Sequence, residues 1–161
     1  MITKLTRQQD LPNLNNLLLL ADPSMKQINS YLKSGLCYIG FNDDITVGAY
    51  VLLQKTNTLA EIANIAVYPE FQGKGYGKAL LLDAIENARS NGFTTIKICT
   101  GNSSINQLAL YQKCGFRMAH IDCDYFVINY PEPIFENGIQ CFDRIHLVLN
   151  LHHKETKHSK A

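Results

Sequence analysis

No stretch of this chain approaches the 18 or so consecutive apolar residues of a membrane-spanning helix; the longest leucine run is Leu17 to Leu20. The opening residues Met1-Ile2-Thr3-Lys4 are not followed by an apolar core and a small-residue cleavage site, so no secretory signal is expected and the chain reads as cytoplasmic. Charge of one sign is also missing. Fifteen Lys and Arg against 14 Asp and Glu leave a net charge of +1, which gives no field to attract nucleic acid or an anionic membrane. The five cysteines (Cys37, Cys99, Cys114, Cys123, Cys141) are odd in number and contain no C-x-x-C pair. That argues against a disulfide framework and a zinc site, and predicts small buried residues in a reducing compartment with no metal. Internal repeats and linkers are absent too. At 161 residues the expectation is one domain over residues 1–151, followed by a polar, aperiodic tail over 152–161.

Periodicity supplies the elements. Ile2 to Leu5 reads as a first strand. Asp10 is a candidate N-cap ahead of Leu11, Leu14, Leu17 and Leu18 at helical spacing. Met25, Ile28 and Leu32 share a face of a second helix that ends near Gly35. Leu36–Phe41 and Ile45–Gln54 form a predicted hairpin around Asn42-Asp43-Asp44, and Leu59–Val67 is the next strand, stopped by Pro69. Leu80, Leu81, Ala84, Ile85 and Ala88 make the stripe of a long helix over 74–91, closed by Gly92. A strand over 94–99, a helix over 105–113, β-like sequence from Phe116 broken at 129–133 and 136–138, and a last strand over 144–151 complete the chain. The fold class is α/β: a mixed, mostly antiparallel twisted sheet with helices on both faces. Both strand-helix-strand passages are expected to pair in parallel through right-handed crossovers.

The most informative run is Ile65-Ala66-Val67-Tyr68-Pro69-Glu70-Phe71-Gln72-Gly73-Lys74-Gly75-Tyr76-Gly77-Lys78. A β-branched strand enters a loop with glycine at alternate positions, and a long amphipathic helix begins. The unpaired N–H groups and the dipole of a helix N-terminus attract anions, and Gly73, Gly75 and Gly77 let a diphosphate approach the backbone. Two nucleotide loops fail on spacing. In Gly77-Lys78-Ala79 there is no hydroxyl for magnesium, and no glycine stands five places before Gly77. The dinucleotide fingerprint needs G-x-G-x-x-G and an acid at the end of the next strand, which here ends Ile98-Cys99-Thr100-Gly101.

What remains, Gln72-Gly73-Lys74-Gly75-Tyr76-Gly77, has the form [Q/R]-x-x-G-x-[G/A]. About forty residues downstream stands Leu110-Tyr111-Gln112-Lys113-Cys114-Gly115-Phe116. On these two blocks the chain resembles the GNAT superfamily of acetyl-CoA-dependent N-acetyltransferases, most closely over Ala60 to Phe116. The resemblance implies a sheet whose central strands splay apart. It implies that Gln72, Gly73, Lys74, Gly75, Tyr76, Gly77 and Lys78 hold the CoA diphosphate, and that the backbone of Ile65, Ala66 and Val67 pairs with the pantetheine arm. Tyr111 matches the family's general acid for the departing thiolate. Glu61 stands where the family often has an acid drawing the amine proton through water, with a backbone N–H of the splayed strand, such as that of Val67, for the oxyanion. One of Asn102, Ser104 and Asn106 is expected on the pantetheine; many relatives in the family carry Asn at the position of Ser104, which is also a good N-cap.

The implied reaction is direct attack of a primary amine of a small molecule or peptide on the thioester, with no metal, by a monomer or homodimer. The acceptor is expected between the segment Ala21–Gly35 and the loop Ile128–Gly138. Asp122, Asp124, Glu132 and Glu136 lend that region acidity suited to a cationic amine, and Tyr125, Phe126 and Tyr130 supply an apolar wall or strand core. A non-catalytic acyl-CoA-binding module on the same fold is the alternative.

Overall fold

The computed structural model describes residues 2–6 and 13–152. Its elements run β1 (Ile2–Thr6), α1 (Leu14–Leu19), α2 (Met25–Leu32), β2 (Leu36–Asn42), β3 (Ile45–Gln54), β4 (Leu59–Val67), α3 (Tyr76–Ser90), β5 (Thr95–Gly101), α4 (Ile105–Lys113), β6 (Arg117–Asp122), α5 (Tyr125–Asn129), β7 (Phe135–Glu136), β8 (Ile139–Gln140) and β9 (Arg144–Asn150). Asp10, Leu11 and the tail beyond His152 lie outside the described residues.

Seven of the described strands form one sheet in the order β1-β2-β3-β4-β5-β9-β6. Every neighbouring pair is antiparallel except β4 and β5. The leucine and alanine stripe of α3 covers one face: Leu80, Leu81, Ala84, Ile85 and Ala88 are buried with Tyr50, Ile62, Ile96, Ile98, Tyr111 and Phe116. On the other face α1 and α2 bury Leu14, Leu17, Leu18 and Ile28 against Cys37, Ile39, Val51 and Ala66. A polar tie fixes α3 to the sheet, since the Tyr50 hydroxyl donates to Asp83 at 2.6 Å and accepts from Asn87 Nδ2.

Local signals account for the boundaries. Ser24 Oγ accepts from Gln27 N and opens α2. Asp43 takes a left-handed φ of 52° in the β2–β3 turn, and Gly92 at φ 84° closes α3 with Phe93 N bonded back to Ala88 O.

Three features depart from the sequence expectation. The second strand-helix-strand passage makes no parallel pair, because β9 inserts between β5 and β6 and pairs antiparallel with both. The β-like sequence after Phe116 is broken by α5: Asp124 at φ 58° turns the chain, and Ile128 N bonds Asp124 O. Asn137 and Gly138 both take positive φ and make a two-residue hairpin of β7 and β8 where only an interruption was expected. Of the cysteines, all free, only Cys37 and Cys141 are buried, and Cys123 is exposed.

Candidate active site

The fork in the sheet begins at β4 and β5. Their parallel pairing covers Leu59–Ile62 against Thr95–Ile98 and then stops. Beyond it β4 stays with β3 as far as Val67, and β5 stays with β9 as far as Gly101. A bulge lies at the mouth of the fork: Val51 pairs with Asn64 and Leu52 with Ile62, leaving Ala63 over. An extra residue sharpens the local twist and helps the strands part. It also exchanges faces. Ala60 and Ile62 pack toward α3 before the bulge, whereas after it Ile65 and Val67 do, and Ala66 turns toward α1 and α2.

A cavity of about 340 Å³ passes through this fork. On the α3 side Tyr111, Ser104 and Ile65 line it, and on the other Asp22, Gln27, Tyr31, Glu61, Cys99 and Arg144. Tyr111 is 5% exposed and packs against Phe116, with ring centroids 6.3 Å apart. Its hydroxyl has no hydrogen-bond partner among the described residues. Burial, reinforced by nearby Cys99 and Glu136, pushes the phenol well above its ordinary value, so it stays protonated. Glu61 Oε2 lies 2.8 Å from Lys97 Nζ, both side chains about four-fifths buried.

The glycine loop is a row of free donors. A single 3-10 turn, Pro69–Phe71, leads from β4, and Gln72 Nε2 donates back to Val67 O at 3.0 Å. Lys74 Nζ donates to Glu70 O and sits over the Phe71 ring. Gly73 and Gly75 take φ of 71° and 88°, with open space where a Cβ would stand. Gly77 lies inside α3 at an ordinary helical φ, so it is not needed for backbone geometry as the other two are. The first backbone bond of the helix is Ala79 N to Gly75 O. None of the six main-chain N–H groups from Gly73 to Lys78 has a hydrogen-bond partner among the described residues. Six donors at the positive end of a 15-residue helix fit a diphosphate.

The candidate pantetheine contacts are placed differently from one another. Asn102 Oδ1 accepts from Phe142 N and Asp143 N, and its Nδ2 donates to Gln140 O. Its amide is a loop anchor, and it has no place among the cavity residues. Ser104 precedes α4 but makes no side-chain cap; its Oγ donates to Glu136 at 3.1 Å. Asn106 is exposed.

The far wall joins segments about a hundred residues apart. Asp22 Oδ1 accepts from Ser24 N and from the Tyr130 hydroxyl, while Gln27 bonds both Tyr130 and Tyr125. Burial and Asp22 raise the Tyr130 phenol. Asn64 Nδ2 donates to Leu18 O and to the Tyr31 oxygen. Of the four acids expected here, only Glu136 lines the cavity.

Asp122 belongs to a different group. His120, Asp122 and His146 hold ligand-type atoms within 4.8 Å of one another, and Arg144 bonds the same Asp122 oxygen as His146. That fixed cation weighs against a metal there. His146, Arg144 and the bonds linking Asp122 to Cys99 escaped the sequence reading. The two-residue spacings His120-x-Asp122 and Arg144-x-His146 each put a pair on one strand face, but only the β5-β9-β6 order brings the pairs together.

Among the described residues, no helix is long and apolar enough to cross a membrane. The acetyltransferase (GNAT) family model matches residues 10–116. A Bacillus subtilis protein called the uncharacterized N-acetyltransferase YvbK is 55% identical over 138 residues, 86% of this chain and 89% of that protein. The crystal structure of a Bacillus subtilis acetyltransferase in complex with CoA is 51% identical, with a TM-score of 0.88, covering 93% of this chain and 98% of the other. A GNAT family acetyltransferase from Elizabethkingia anophelis with acetyl-CoA bound is 44% identical, with a TM-score of 0.87 over 92% and 97% of the two chains.

Proposed function

The chain belongs to the GNAT family of acetyl-CoA-dependent acetyltransferases, and on that premise we propose that it moves the acetyl group directly to a primary amine of a small molecule or peptide. The observation that carries this reading is the fork between β4 and β5, which opens a cavity with a protonated phenol on one side and a carboxylate-bearing wall on the other.

In this reading the free N–H groups of Gly73 to Lys78 hold the diphosphate, together with the loop side chains of Gln72, Lys74, Tyr76 and Lys78. The β4 edge of Ile65, Ala66 and Val67, left without a β5 partner, receives the amides of the pantetheine arm as an added strand would. Main-chain recognition suits the small and aliphatic side chains there.

An alkyl amine with a pKa of about 10.4 enters largely as the ammonium ion. Asp22 and Glu61 in the wall favour that cation. Attack requires the neutral amine, so a proton must leave. Glu61 is the carboxylate at the fork, held in place by Lys97 Nζ at 2.8 Å, and in this reading it draws the amine proton through water. A β4 backbone N–H meets the oxyanion, and Tyr111 donates to the thiolate as it leaves.

The test is acetyl-CoA consumption, followed as free thiol, across polyamines, aminoglycosides, amino acids and peptides. Turnover with at least one amine, with an acetylated product identified by mass, is the expected result. Measured CoA binding with no turnover on any amine would leave an acyl-CoA-binding module instead.

A further inference from the structure

The fork holds a nucleophile that direct transfer does not use. Cys99 is the first residue of β5 beyond the last β4 pair, and its side chain lines the cavity on the acceptor side. In the β5–β9 register it stands opposite His146. Cys99 Sγ lies 3.2 Å from His146 Nδ1, and His146 Nε2 lies 2.7 Å from Asp122 Oδ2.

The hydrogen positions follow from the partners. Arg144 donates to Asp122 through Nε and Nη2, and with the imidazoles it holds the Asp122 carboxyl well below the usual range. An ionised carboxylate only accepts, so His146 Nε2 carries a hydrogen, and in the neutral imidazole that leaves the Nδ1 lone pair facing the Cys99 thiol. A thiol, an imidazole that can take its proton, and a carboxylate that orients the imidazole are the parts of an activated nucleophile. Burial pushes the Cys99 thiol up to about 11, so no thiolate stands there at neutral pH and the base must act during attack. Cys141 provides an internal comparison. It lines the same cavity, yet no imidazole or other hydrogen-bond partner faces it among the described residues.

We propose that Cys99 is an acetyl acceptor, activated by His146 and Asp122, that exchanges the acetyl group with CoA at the fork. The Cys99 sulfur bonds to the acetyl carbonyl carbon, and its proton passes to His146 Nδ1. The bond from that carbon to the CoA sulfur breaks, and His146 returns the proton to the departing sulfur. The products are S-acetyl Cys99 and free CoA thiol. One thioester replaces another, so the step is near balance and runs in both directions. This inference rests on acetyl-CoA binding at the fork, and not on which amine is the acceptor.

The experiment is isotope exchange. The full chain is incubated with acetyl-CoA and labelled CoA without any amine, and label entering acetyl-CoA is measured. Direct transfer to an amine predicts none; acetylation of Cys99 predicts exchange that saturates with acetyl-CoA. Exchange should fall about a hundredfold or more in Cys99→Ala, and about tenfold or more in His146→Gln. Acid-quenched wild-type protein should carry one hydroxylamine-sensitive acetyl group on the Cys99 peptide and none on Cys141. Wild-type protein that binds acetyl-CoA and shows no exchange overturns the proposal without reference to any variant. Exchange that persists in Cys99→Ala, or acetyl found only elsewhere, also overturns it. Amine turnover without exchange refutes this step alone, and exchange without amine turnover refutes only the acceptor assignment.

Discussion

Replacing Tyr111 by Phe removes one oxygen and leaves the ring in place. Because that hydroxyl bonds to nothing among the described residues, stability should hold within about 0.5 kcal/mol. Its loss should appear in catalysis, and the structure bounds by how much. A free phenol has a pKa of about 10 and a thiol about 8.5, so full proton transfer from one to the other is uphill by at least about 2 kcal/mol. Burial of Tyr111 at 5% exposure raises the phenol further and widens that gap. In the proposed reaction the contribution of Tyr111 is therefore a charge-assisted hydrogen bond onto the developing thiolate, about 1.5 to 3 kcal/mol. At 1.36 kcal/mol per decade this lowers kcat about 10- to 150-fold. The KM for acetyl-CoA should barely move, since the bond strengthens only as the sulfur becomes charged. Steady-state thiol release at saturating substrates, alongside a thermal melt, reads both quantities. An unchanged kcat would remove Tyr111 from the reaction. A loss near 10⁴-fold at unchanged Tm would mean complete proton transfer, and the argument from relative acidity would be wrong.

Three further outcomes are expected. Gly75→Asp puts a β-carbon at φ 88° and a carboxylate among the free N–H groups, so acetyl-CoA affinity by calorimetry should fall at least tenfold; equal affinity would remove the loop from diphosphate binding. Gly48→Ala should cost about 2 to 3 kcal/mol, because its Cβ would meet the Ala66 carbonyl and come within 2.8 Å of Leu80 Cδ1, whereas Gly77→Ala, whose nearest neighbour is 3.8 Å away, should hold or raise Tm; similar Tm shifts for the two would contradict the packing. Asp122 is held below the unfolded value of 3.8, so its stabilising contribution is present above that pH and is lost as pH falls below it. NMR should show the β6–β9 edge loosening in that acid range in wild type, and a flat response there in Asp122→Asn; loosening that is equal in both would exclude this carboxylate as the cause.

Local chemistry explains why so many elements were legible in the chain. The bounds of β4 and α4, the α3 stripe and the Gly92 stop depend on residues within a few positions of each other. Glu61 shows where that legibility ends. Its outlook depends on whether a bulge falls between it and Val67, and the bulge at Ala63 is set by the register with β3. Ser104 reads as a helix cap, yet its hydroxyl turns to Glu136 on a hairpin 32 residues away. Asn102 reads as one of three candidate ligand contacts, and only the tertiary structure shows that its side-chain amide holds the loop over 140–143.

The sequence alone determined the donor. Glycines at 73, 75 and 77 ahead of a helical stripe point to a diphosphate, because backbone freedom and helix polarity are local properties, and the family resemblance completed by Leu110 to Phe116 makes its carrier coenzyme A. The tertiary structure decided what lines the fork. Its wall joins Asp22 and Gln27 to Tyr125 and Tyr130, and Cys99 meets His146 only because β9 enters the sheet between β5 and β6. Strand order is a long-range choice, governed by which faces can be buried together, and no short stretch of sequence carries it.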